Sequence, residues 1–196
     1  VDPAALEALL AQVTVDDAAL RALLEQDEPE DGETDPDAIP EPKGPVRARV
    51  GDVWALGDHR LMCGDAIRSD HFAKLMDGAN AQLVFTDPPY GVAYQAEGHE
   101  AIANDELERD ALVQFLANAF KHMAIYMGHQ AAAYIWHSGS TRDEFTYAMK
   151  AAGLLELQTI IWVKPSLVLG RGDYQWQHEA CYYASRDGEQ PHFYAN

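Results

Sequence analysis

The chain has 196 residues, 47% of them apolar and 23% charged, enough for one ordinary domain with a real core and a short appendage, which excludes a wholly disordered protein. No apolar run approaches the ~20 residues that span a bilayer, and the N-terminus lacks the basic-then-apolar order of a secretion signal, so the expectation is a cytosolic protein with no membrane partner. A formal charge of −18 leaves no basic stripe for gripping phosphates, and Cys63 and Cys181 match no paired spacing for zinc or redox chemistry, so free thiols are expected.

Residues 1–26 read as two short helices. Asp2 caps the first with Pro3 at its first helical position and Ala5, Leu6, Leu9 and Leu10 at helical spacing, and Thr14 caps a second that carries Leu20, Leu23 and Leu24. A helical pair this small is marginal alone. Residues 27–45 are acidic, rich in Pro and Gly and nearly free of large apolar side chains, which is the composition of a linker. The charge is unevenly spread: residues 1–43 hold 13 acids against Arg21 and Lys43, a net −11, whereas residues 44–196 hold 19 acids against 12 bases, a net −7. The main domain, residues 46–196, is therefore only mildly acidic.

That domain opens with two apolar runs, residues 53–56 and 60–63, flanking Gly57 and Asp58, a pair that suits a hairpin turn. Residues 69–76 are expected to be helical. Residues 82–86 form a short apolar run read as a buried strand, and residues 107–127 have helical periodicity through Leu112, Phe115, Leu116, Ala119 and Phe120. A strand over 131–136, a helix over 141–152 that stops at Gly153, and strands over 157–163 and 180–184 complete the series. Strands alternating with helices of this length imply an α/β layered domain with a largely parallel sheet.

Asp87, Pro88, Pro89 and Tyr90 directly follow the first of these apolar strands, the place where open α/β sheets keep their sites. Their chemistry fits one task closely, which is to make the exocyclic amine of a nucleobase attack a methyl group. That amine is a poor nucleophile because its lone pair is delocalised into the ring. Acceptors on its two N–H bonds, the Asp87 carboxylate and the Pro88 carbonyl, favour a more tetrahedral nitrogen with a free lone pair. Consecutive prolines fix their own φ and push their predecessors into extended geometry, which holds the acceptors rigidly. Tyr90 offers an aromatic face on which an extruded base can stack.

The sequence resembles the permuted DNA adenine and cytosine amino-methyltransferases, in which the DPPY region precedes the cofactor-binding region. The resemblance runs from about Gly51 to Tyr194 and rests on GDVWALGDHRLMCGDA, LVFTDPPYGVAY, the IAND stretch, AAYIWH and QTIIWVKPSLVLGRGDYQWQHEACYY in that order. It is nearest to phage and bacterial members that fuse a ParB-like domain ahead of the methyltransferase, with residues 1–26 as the tail of that domain. The resemblance implies a partial Rossmann-like methyltransferase sheet, the catalytic half, carrying an N-terminal helical appendage. It implies S-adenosyl-L-methionine as cofactor, double-stranded DNA as partner, and N6 of adenine as the favoured target, with cytosine N4 and a noncatalytic DNA-binding or assembly fragment as alternatives. Asp87, Pro88, Pro89 and Tyr90 take the base-holding role. Asp65 is implied near the cofactor adenine, with Ala66 and Thr86 as further cofactor contacts. The family continues to a glycine-rich FxGxG-type element that wraps the methionine part of the cofactor, and this sequence stops before one. The resemblance therefore implies a truncated or split enzyme that needs a C-terminal cofactor-binding half, a partner chain or a homodimer, with the strand before Asp87 at a raw edge.

The remaining candidates carry two readings each. The stretch from Gly91 to Asn104 suits a loop that closes over base and cofactor, or an ordinary surface loop. Arg171, Tyr174, Gln175, Trp176 and His178 read as one loop that contacts DNA backbone and unstacked bases, or that packs. Lys164 ends an apolar strand and reaches a phosphate or snorkels to solvent. His137 ends another strand and so lies near the site, while Trp54, Trp136 and Trp162 are read as core residues.

Overall fold

The computed structural model describes residues 44–94, 101–168 and 173–193. The two predicted N-terminal helices, nearly all of the acidic linker, and Arg171 lie outside them. Residues from Ala48 onward form one compact unit. Its elements in chain order are β1 (Val53–Leu56), β2 (His59–Met62), α1 (Ser69–Met76), β3 (Ala81–Thr86), α2 (Arg109–Tyr126), β4 (Met127–His137), a 3-10 turn (Gly139–Thr141), α3 (Arg142–Ala151), β5 (Leu154–Val168) and β6 (Trp176–Arg186). No helix among the described residues is long and apolar enough to cross a membrane.

The fold is α/β with a mixed sheet. β1 and β2 make the expected hairpin, Leu56 facing His59 across Gly57 and Asp58. The main sheet has the order β3, β4, β6, β5, with β3 parallel to β4 and β6 antiparallel to both β4 and β5. Three strands thus run one way, as a largely parallel sheet requires. Because β6 lies between β4 and β5, two of the three pairings are nevertheless antiparallel. Among the described residues β3 pairs with β4 alone and is an edge strand, as expected.

Helices α2 and α3 cover one face of the sheet. Leu112, Leu116, Ala119, Phe120 and Ala124 recur at helical spacing and are buried, as are Phe145, Ala148 and Met149 on α3. They meet Ala133 and Ile135 of β4, Tyr182 and Ala184 of β6, and Val84 of β3 in one core. Small residues on the strands let the phenylalanines of the helices sit close, with Phe120 and Phe145 in ring contact at 6.2 Å. The hairpin and α1 attach at the side: Arg60 donates to Asp77 at 2.9 Å and to the Lys74 carbonyl at 2.8 Å, and Phe72 of α1 stacks on Tyr126 of α2 at 5.9 Å.

Exposure in the hairpin and on the sheet face opposite the helices corrects two expectations. β3 is not a buried strand: its side chains alternate, so Val84 enters the core while Leu83 and Phe85 are 54% and 65% exposed. Trp54 and Trp162 are not core residues but exposed, and Trp136 is half-buried. Phe85, Tyr134, Trp136, Tyr183 and Trp162 share this outer face in a chain of ring contacts of 5.3 to 6.4 Å, with Phe85 and Trp162 exposed and the other three half-buried because neither α2 nor α3 packs there. A third correction concerns Trp176 and His178, which stand on β6 and not in a loop.

Candidate active site

β3 ends at Thr86, and residues 87–90 leave the sheet at its C-terminal edge. β4 and β5 run in the same direction, so His137 and Lys164 lie toward the same end, and antiparallel β6 begins there with Trp176. A cavity of about 540 Å³ opens at this end, within the size range of small-ligand sites. Asp87, Pro88, Pro89 and Tyr90 line one side, and Lys164, Trp176 and His178 line another. Residues 137–140, between them, close the gap with His137, Ser138, Gly139 and Ser140.

The predicted acceptors are open. Asp87 is exposed and borders the cavity. No donor among the described residues takes the Pro88 carbonyl. Tyr90 is half-buried, meets Phe145 edge-on at 6.2 Å and packs against the core, so its ring is anchored on one side. Burial first and the neighbouring Asp87 carboxylate second push the phenol far above its ordinary range, so it stays protonated.

The backbone after the prolines is held from both sides. Thr141 Oγ1 donates to the Tyr90 carbonyl at 2.8 Å. Asp105, 3% exposed, accepts the amides of Tyr90 (2.7 Å) and Gly91 (2.9 Å) on one carboxylate oxygen and of Tyr94 (2.7 Å) on the other. Its own carbonyl accepts from Ala93 at 2.8 Å. Gly91 has φ +71°, and a Cβ there would lie 2.5 Å from Leu112 Cδ2 and 2.9 Å from the Leu107 carbonyl oxygen, so only glycine fits. The sequence reading missed Asp105 and Thr141. The aspartate of the IAND stretch was the available signal, but that stretch entered only as part of the resemblance, with no role attached to Asp105.

His137 is 2% exposed and lies flat on Tyr182, with ring centroids 4.0 Å apart. Nδ1 donates to the Ser138 carbonyl at 3.1 Å, which leaves Nε2 as a buried acceptor without a hydrogen-bond partner among the described residues. Burial lowers its pKa and keeps the ring neutral. Lys164 is not a free cation: its Nζ pairs with Glu179 and sits 5.5 Å from the Trp162 ring centroid.

The other predicted residues are not gathered here. Asp65 and Ala66 line a separate cavity of about 180 Å³ with Gly64 and His71, where the Asp65 amide donates to His71 Nδ1 at 2.8 Å. Thr86 lines neither cavity, and Tyr174 is 93% exposed. Residues 95–100 of the expected closing loop lie outside the described residues, while Gly91 to Tyr94 are fixed by Asp105.

No protein-family model matches the chain. No curated protein matches it either. Among solved structures it is similar to the crystal structure of an M1.HpyAVI–SAM complex, with a TM-score of 0.44 and 16% identity over 64% of this chain and 54% of that one. It is similar also to a crystal structure of M1.HpyAVI, with a TM-score of 0.43 and 16% identity over 62% and 54%. The chain spans about half the length of these proteins.

Proposed function

We propose that residues 87–90 bind an extruded nucleobase and activate its exocyclic amine for methylation, so that the chain is the base-binding half of a DNA amino-methyltransferase acting on adenine N6. The observation that carries this reading is the pair of open acceptors, the Asp87 carboxylate and the Pro88 carbonyl, on the rim of a cavity of about 540 Å³. Each takes one N–H of the amine, which frees the nitrogen lone pair from the ring. Tyr90, protonated beside Asp87, borders the base with its ring. Asp87, which accepts one N–H of the amine, also takes the proton that the methylated nitrogen sheds. Trp176 and His178 supply aromatic surface on the facing wall.

S-adenosyl-L-methionine, when bound, supplies the electrophilic methyl group. The described residues fit part of it: Asp65 and Ala66 line a cavity of about 180 Å³, which suits one portion of the cofactor, and Thr86 is outside it.

The test is to incubate the full-length protein that carries this chain with duplex DNA and S-adenosyl-L-methionine and to analyse the nucleosides by mass spectrometry. N6-methyladenine is expected, and N4-methylcytosine alone moves the target to cytosine. Asp87→Ala is expected to lower the rate about 100- to 1,000-fold, the effect of losing a positioned charge-stabilising group. Full methylation by that variant contradicts the assignment.

A further inference from the structure

We infer that Asp105 is a positioning residue for the reaction, a buried carboxylate that sets the geometry of residues 87–90 by clamping the amides that follow them. The inference rests on the amine-activation reading of Asp87 and Pro88. Pro88 and Pro89 have no N–H, so the first backbone donor after Asp87 is that of Tyr90, and Asp105 takes it. The same oxygen takes Gly91, the other takes Tyr94, and the Asp105 carbonyl takes Ala93. Four amides of one loop thus converge on one residue. A carboxylate shielded from water is costly unless such donors satisfy it, and charge-assisted bonds of 2.7 to 2.9 Å are strong ones. The loop can therefore depart from this shape only by leaving a buried charge without its partners.

The clamp acts on the acceptors through a short, stiff path. Tyr90 is held at its amide by Asp105 and at its carbonyl by Thr141, and two proline rings connect it to Asp87. Asp105 transfers no proton in this role. Its contribution is to keep the Pro88 carbonyl and the Asp87 carboxylate at the spacing that an amine with two N–H bonds requires.

Asp105→Asn tests this with almost no change in volume. An amide has one oxygen and one NH2, so at least one of the Tyr90, Gly91 and Tyr94 N–H groups then faces a donor. In the full-length protein, kcat for methylation is expected to fall about 100-fold, the scale of a small misplacement at the reacting atoms, with the KM for S-adenosyl-L-methionine unchanged within about twofold. Amide hydrogen exchange is expected to quicken about tenfold or more at Tyr90, Gly91 and Tyr94, while Ala133 and Ile135 in β4 keep their protection. Unchanged kcat, or unchanged exchange at the three loop amides, overturns the inference. So does loss of protection at Ala133 and Ile135 together with the loop, because Asp105 then serves the whole fold. If the wild-type protein methylates no base, the reading of Asp87 and Pro88 falls on its own, and the exchange pattern still decides whether Asp105 clamps the loop.

Discussion

Gly91→Ala measures how tightly the backbone beside the site is packed. The added methyl carbon would lie 2.5 Å from Leu112 Cδ2 and 2.9 Å from the Leu107 carbonyl oxygen, and Leu112 is fully buried, with no solvent to swing into. The glycine φ of +71° adds a second cost, because a side chain there is strained by roughly 1 to 2 kcal/mol. Overpacking of a filled core adds about 1 to 3 kcal/mol, so the total is about 2 to 5 kcal/mol. Gly78 isolates the packing part: its φ is +83°, yet nothing lies within 4 Å of its Cβ position, so Gly78→Ala carries the strain alone. In urea unfolding followed by tryptophan fluorescence, Gly91→Ala is expected to lower the midpoint by about 1 to 2 M, and Gly78→Ala by clearly less. Equal shifts for the two variants would refute the reasoning, since the crowding around Leu112 would then contribute nothing.

Further expectations concern the core and the buried imidazole of His137. Phe120→Ala should cost about 3 to 5 kcal/mol because Phe120 is fully buried between helix and sheet, whereas Phe85→Ala, on the bare face, should cost less than about 1 kcal/mol; the same urea titrations compare them. Burial lowers the pKa of His137 below the usual 6.5, so the unfolded chain takes up the proton first as pH falls. This group is neutral in both states above that value and erodes stability from pH 6.5 downward until the folded-state pKa is reached. Unfolding midpoints measured at pH 7.5 and at lower pH should therefore diverge less in His137→Gln than in the wild-type protein, and identical pH dependence would show that the imidazole titrates alike in both states.

Much of the α/β series is legible in the sequence because local pattern and tertiary burial agree. Residues 69–76 carry an amphipathic period and form α1 at those boundaries, and Gly57 with Asp58 marks the hairpin. Where they disagree, the sequence misleads. Leu83 and Phe85 look like core residues by composition, but their burial depends on a layer over the outer face that α2 and α3 do not provide. Trp176 and His178 stand among polar residues and read as a loop, yet the β5 ladder carries them into β6, where one edge faces a cavity. Asp105 is the reverse case. Nothing local distinguishes it from a surface aspartate, because its partners are amides 11 to 15 residues earlier in the chain. Asp87 to Tyr90 were legible because their order, two prolines after an apolar strand, is itself a chemical statement.

The reversed direction of β6 has a consequence for how such a site can vary. Its first residues and the last residues of β5 meet on the same side of the sheet as Asp87, with Val168 paired to Trp176. Those strand ends can thus vary beside one flank of the opening, while the ladder between β3 and β4 keeps the flank that carries Asp87 in register. The two flanks of the cavity therefore belong to separate strand pairs, so a change in the one need not disturb the other.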